Sequence, residues 1–214
     1  MKKILLIVGG KSTGIEIREV VNSYYINDFD EVFNFVGEDE FDCPYSYIKQ
    51  EGVSSLIEMD DVELYYITSM TNQKLRIFFI NDFLLKGIKP FNVIHPNSMI
   101  SSSASIGKNI YIASGVVLSS FAKVCDNVII NYGVLIGHDA IIKENCIFNP
   151  GSKVGGNVIV NENVLLGAGT FIKQGVEIGA NTLIDAMCYI REDLQPNKMI
   201  RSEVKSKEFR NIFI

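Results

Sequence analysis

Two short stretches of this 214-residue chain carry residue types that can do chemistry. The first is Gly137-His138-Asp139, which holds one of only two histidines. An imidazole titrates near neutral pH, so it can take a proton from an attacking amine or hydroxyl. A carboxylate partner fixes its tautomer and stabilises the imidazolium. The second is Gly9-Gly10-Lys11-Ser12-Thr13-Gly14, between an apolar run and a helical pattern. A glycine-rich turn opening a helix offers backbone N–H groups to a phosphate, and it also serves simply to close a tight strand-to-helix turn. Walker A is excluded because Leu5 stands where its first glycine is required, and GxGxxG is excluded by the spacing GGxxxG. Glu38 and Asp39, past the second expected strand, are placed to accept hydrogen bonds from a ribose or base. His95, in His95-Pro96, reads as structural. The four cysteines are far apart with no CxxC pair, and Asp126, Asp139 and Glu144 are dispersed, so no metal site is expected.

The elements that position these groups follow from periodicity. From Ile94 to Ile190 an aliphatic or aromatic residue recurs at every sixth position, and a second column four residues later, from Ser98 to Leu194, is small or aliphatic throughout. A period of six fits neither an α-helix nor an alternating strand. It fits a triangular coil in which each hexapeptide supplies one strand and one corner. Residues eighteen apart then stack, which places His138 between Ser120 and Gly156. A bare glycine there leaves space beside the imidazole, though an exposed corner histidine of no function has the same pattern. Gly and Asn recur near the corners and suit tight backbone.

The first ninety residues lack this period. Lys3 to Val8 reads as a buried strand, Ile15 to Tyr24 as a helix, Val32 to Val36 and Leu64 to Thr68 as strands, and Asn72 to Leu85 as a helix. That order indicates an α/β unit with a parallel sheet. Residues 40 to 60 give no clear pattern. The expected organisation is therefore 1–92, a Rossmann-like unit; 93–195, a parallel β-helix; and 196–214, a tail whose Phe209, Ile212, Phe213 and Ile214 form an apolar end.

Composition sets limits. Twenty basic and 25 acidic side chains give a net charge of −5, which argues against a sequence-independent nucleic-acid binder. No apolar run approaches a membrane span, and the apolar start stops at Gly9-Gly10, too short for a signal peptide. Scattered cysteines fit a reducing cytoplasm.

A glycine-turn α/β half followed by hexapeptide repeats with Gly137-His138-Asp139 resembles the bacterial sugar acyltransferases of the sialic-acid O-acetyltransferase and UDP-4-amino-sugar N-acetyltransferase type. The resemblance runs through about residue 200. It implies a left-handed β-helix, a homotrimer, and acetyl-CoA in a groove between subunits. It implies His138 as general base and Asp139 as its partner, with Gly155, Gly156, Ala168 and Ala186 along the donor site. Backbone N–H groups near Gly155-Gly156 become candidates to hold the oxyanion. Gly9, Gly10, Ser12 and Gly14 would cradle the phosphates of a nucleotide sugar, probed further by Thr13, where many members carry a histidine, and by Glu38 and Asn72. The chain departs from the pattern in three places. Ile147 occupies the position of a second histidine that touches the acetyl carbonyl in many relatives. Asp185-Ala186-Met187-Cys188 replaces a GAGA-like segment, and Arg201-Ser202-Glu203-Val204-Lys205 replaces the Gly-x-Pro-Ala-Lys tail. These departures define the competing reading, a nucleotide-sugar-binding or partner subunit that has lost CoA binding.

Overall fold

A computed structural model of the chain describes residues 1–36 and 43–202. Strand β1 (Lys2–Val8) is buried from Ile4 onward, and its apolar run has no alternation because both faces of the sheet are covered. Helix α1 (Thr13–Tyr24) follows, then β2 (Glu31–Phe35), β3 (Tyr47–Ile48), α2 (Gln50–Ile57), β4 (Val62–Thr68), α3 (Gln73–Leu85) and β5 (Lys89–Pro90). The five strands form one parallel sheet in the order β3-β2-β1-β4-β5. The short β3 and α2 fall in the stretch where the sequence shows no pattern. Gly52 interrupts the helical signal of α2, yet it lets that helix approach Ile48, since a Cβ there would stand 2.5 Å from Cγ1.

From β6 (Val93–Ile94) to β23 (Met199–Ile200) the chain makes two-residue strands that pair in parallel with the coils before and after. They form three faces: the first begins at β6, the second at β7 (Met99–Ile100), and the third at β8 (Ser105–Ile106). The register Val117↔Leu135↔Lys153↔Phe171 confirms stacking at eighteen residues. The two sequence columns are the interior: Ile112 through Ile190 on one and Ile110 through Cys188 on the other share one buried apolar cluster, joined in the second column by the buried polar Ser152, Thr170 and Thr182. The period fails only at the end. Leu183 pairs with Met199 and Ile178 with Leu194, sixteen residues apart. Leu194 therefore stacks on the first column, not the second to which the six-residue count assigns it.

Left-handed backbone turns the corners: one edge is asparagine throughout, the next is mostly glycine (Gly115, Gly133, Gly151, Gly169), and the one that carries Asp139 is mixed, with Phe121, Asn157 and Gly175. Asn109, Asn127, Asn145, Asn163, Asn181 and Asn197, all near φ 60°, mark the edge between the third and first faces. Side-chain amides run along it, from Asn163 to Asn181 at 2.9 Å and from Asn181 to Asn197 at 3.1 Å. Asparagine tolerates this conformation better than other non-glycine residues.

The α/β sheet packs on the first face. Leu5, Ile7, Ile17 and Ile67 share a buried cluster with Tyr111, Ile129 and Ile147. Polar contacts fix the register: the Tyr25 hydroxyl donates to the Ile94 carbonyl at 2.8 Å, and the Gln73 amide to the Asn163 carbonyl at 2.8 Å. No helix among the described residues is long and apolar enough to cross a membrane. The apolar residues expected at the C-terminus, Phe209 to Ile214, lie outside the described residues.

Candidate functional site

The strand order places its switch point between β1 and β4, whose following helices start on either side of one crevice. Open α/β sheets bind ligands at such a point, beyond the carboxyl ends of the strands. Here the crevice has a volume of about 640 Å³. Gly9, Gly10, Ser12 and Thr13 form one wall, Ser69 and Asn72 the other, with Phe35 and Phe79 behind.

The glycine turn is shaped by contact as much as by openness. Gly9 has φ +125° and donates its N–H to the Phe35 carbonyl at 3.0 Å. A Cβ on Gly9 would run into the Ser69 hydroxyl, which donates to the Val8 carbonyl at 2.8 Å. Gly14, expected at the phosphates, does not line the crevice. It is buried against the Gly9 carbonyl, where a Cβ would collide, so it allows α1 to seat close to β1. Asn72 lines the crevice and also caps α3, its Oδ1 accepting from the Leu75 N–H at 3.2 Å. Glu38 lies outside the described residues. Ser69 and Thr71 escaped sequence reasoning; the polar run between the end of β4 and a helix start was the available signal.

His138 stands at the edge between the second and third faces, after β13 (Leu135–Ile136) and before β14 (Ile141–Ile142). Adjacent residues on a strand diverge, but Asp139 has φ +57°, and this bend brings its carboxylate to His138. Nδ1 and Oδ2 are 2.9 Å apart. That leaves Nε2 as the nitrogen available to a substrate. The space beside Gly156 is not empty as the sequence suggests: the imidazole itself fills it, 2.5 Å from where a Cβ would stand. Both side chains of the pair are about half exposed, 55% for His138 and 51% for Asp139.

Gly155 and Gly156 lie one coil beyond His138 on the same edge. The Gly155 N–H is engaged by the Ile172 carbonyl at 2.9 Å; no acceptor among the described residues takes that of Gly156. Ala168 and Ala186 stack on each other at a different edge, between the first and second faces, where the Met187 N–H donates to the Ala168 carbonyl at 2.8 Å. Within one chain they are not brought to His138. Ile147 is fully buried between the coil and the α/β sheet. Among the described residues no group of three His, Cys, Asp or Glu side chains is placed to hold a metal ion.

Residues 139–174 match the family described as bacterial transferase hexapeptide (six repeats). Solved structures extend the likeness to both halves. Perosamine N-acetyltransferase PerB from Caulobacter crescentus, in complex with CoA and GDP-perosamine, superposes with a TM-score of 0.81 at 22% identity, covering 91% of this chain and 92% of that one. WeeI from Acinetobacter baumannii AYE gives 0.83 at 16%, covering 92% and 95%. The acetyltransferase domain of PglB from Neisseria gonorrhoeae FA1090 gives 0.78 at 20%, covering 89% and 92%. This is a hexapeptide-repeat protein with the fold of the sugar acyltransferases. The hexapeptide coil and the sheet before it thus bear out the resemblance to the hexapeptide-repeat sugar acyltransferases. No curated protein sequence matches the chain.

Proposed function

We propose that the chain is an acyl-CoA-dependent transferase that places an acetyl group on an amine or hydroxyl of a nucleotide-linked sugar. One observation carries the reading: the same chain holds an exposed His138–Asp139 pair on a hexapeptide coil and a crevice between two helix starts at a sheet switch point. In this reading residues 1–92 are a Rossmann-like nucleotide-sugar unit and 93–195 a left-handed β-helix. The solved relatives support it, since one is in complex with CoA and GDP-perosamine and another with acetyl coenzyme A.

The chemistry follows from the atoms. Nε2 of neutral His138 accepts the proton from the acceptor N–H or O–H while that atom's lone pair attacks the thioester carbonyl. Asp139, held at Nδ1, stabilises the imidazolium. In this reading the Gly156 N–H, which has no acceptor among the described residues, donates to the carbonyl oxygen as it gains charge. Collapse breaks the carbon–sulfur bond, and the imidazolium returns the proton to the departing thiolate.

The reading also calls for a second copy. The crevice belongs to a sheet that covers the first face, whereas His138 lies on the one edge that borders only the second and third faces. In this reading crevice and His138 of one chain serve different sites, so the acceptor in one crevice meets His138 of a neighbour. The second face supports that packing with exposed Met99, Leu135, Phe171 and Tyr189, the last two rings stacked at 5.4 Å. A cyclic homotrimer, the assembly the family resemblance implies, satisfies this need, and the reading places it in the cytoplasm.

Ile147 favours the competing reading of a binding protein without donor chemistry, because a buried isoleucine cannot hold an acetyl carbonyl. Calorimetric titration with acetyl-CoA and then with UDP- and GDP-linked amino sugars separates the two. Binding of both classes supports the transferase; nucleotide binding with no CoA binding overturns it.

A further inference from the structure

Arg76 is the largest fully buried side chain among the described residues. It sits in the first turns of α3, its N–H donating to the Asn72 carbonyl at 2.9 Å, and its neighbour Leu75 lines the crevice. Nη2 donates to the Asn145 carbonyl on the asparagine edge. Nε and Nη1 have no partner among the described residues. No carboxylate among the described residues forms an ion pair with it. Burial pushes its pKa down to about 10, which still leaves it charged at neutral pH.

This arrangement is unfavourable by itself in two ways. A buried cation without a counter-charge is costly. A cation near a helix N-terminus also opposes the helix dipole, which favours anions there. Both penalties diminish if a dense negative charge binds at the mouth of α3, because a desolvated charge acts over a longer range than one in water.

Resting on the nucleotide-sugar reading of the crevice, we infer that Arg76 is a specificity-determining residue that acts without contact: its buried charge, behind the start of α3, selects ligands carrying a diphosphate over uncharged nucleosides. It is a positioning charge, not a catalytic one. Its hydrogen bond to the Asn145 carbonyl fixes where that charge stands relative to the coil.

The test compares ligands that differ in charge. Wild type, Arg76→Met and Arg76→Lys full-length proteins are titrated with inorganic pyrophosphate, with UDP and GDP, and with uridine and guanosine. Arg76→Met is expected to bind pyrophosphate and the nucleoside diphosphate about five- to twentyfold more weakly, the order expected when one poorly screened charge is removed. Nucleoside affinity stays unchanged, and Arg76→Lys stays within about twofold of wild type for every ligand because it keeps the charge. Should Arg76→Met fail to fold, the comparison is read on Arg76→Gln, which retains a donor for Asn145. Equal weakening of charged and uncharged ligands means a structural pin and overturns the inference. Unchanged diphosphate affinity overturns it as well, with the crevice assignment intact. A wild-type protein that binds none of these probes overturns the crevice assignment and the inference together.

Discussion

The imidazole of His138 rests on the bare backbone of Gly156, with Nε2 2.5 Å and Cε1 2.7 Å from the place a Cβ would take. The glycine is therefore a seat for the imidazole. The Gly156 backbone does not lie in the left-handed region, so alanine adds no strain of its own. Gly156→Ala is expected to displace the ring and lower turnover by on the order of 10²-fold, the usual cost of a misplaced group. Stability should change by less than about 0.5 kcal/mol, because an exposed side chain moves at little cost. A thermal melt and a steady-state rate on the same sample check both.

Asp139 has two tasks, and they separate by substitution. Its left-handed backbone turns the corner and its carboxylate holds Nδ1. Asparagine fills equivalent left-handed positions along the neighbouring edge. Asp139→Asn should keep the melting temperature and lose about tenfold or more in turnover, since general-base chemistry of this kind contributes about 10²–10⁴-fold in all. Asp139→Ala should lose both. Equal rates for wild type and Asp139→Asn would remove the carboxylate from the mechanism.

Base and crevice on different sides of the coil make complementation a sharp test. His138→Ala removes the proposed base, and Thr71→Trp fills a crevice whose wall Thr71 forms. Each variant alone should be inactive. Co-expressed with different tags and purified as mixed assemblies, they should regain activity, because one copy supplies the crevice and the other His138. Mixed assemblies without activity would place both halves of the site in one chain.

Cys146 lies in the coil interior, and burial pushes its thiol up to about 12. The raised value means that little reactive thiolate exists until the pH nears that range. At pH 8 a thiol reagent should leave Cys146 unmodified in the folded protein and label it after denaturation, as read by peptide mass. Modification at the rate of a free thiol would contradict its burial.

The fold was legible wherever the sequence repeats a physical requirement. Ile112 to Ile190 must be apolar to fill a prism, so the columns identify themselves. The last coil was not legible, because Leu194 satisfies a six-residue count while the chain takes a four-residue step onto Ile178. At the site, His138 and Asp139 were found from type and adjacency, but their hydrogen bond depends on one backbone angle that no pattern encodes. The family resemblance implies a phosphate contact at Gly14, while the structure shows its missing side chain serving the packing of α1 on the end of β1. Ser69 lies sixty residues from the glycine turn in sequence, roughly the kind of pairing that only the parallel sheet reveals. Arg76 looks like an ordinary helix-surface residue until the coil covers it.

The central claim is tested most directly by following CoA thiol release from acetyl-CoA with a panel of UDP- and GDP-linked amino sugars, for wild type and His138→Ala. Thiol should appear only when donor and a nucleotide-linked sugar are both present, and His138→Ala should slow it by about 10²–10⁴-fold while binding the sugar nucleotide as before. Release at an unchanged rate from His138→Ala, or no release from a wild-type protein saturated with both substrates, would contradict the account.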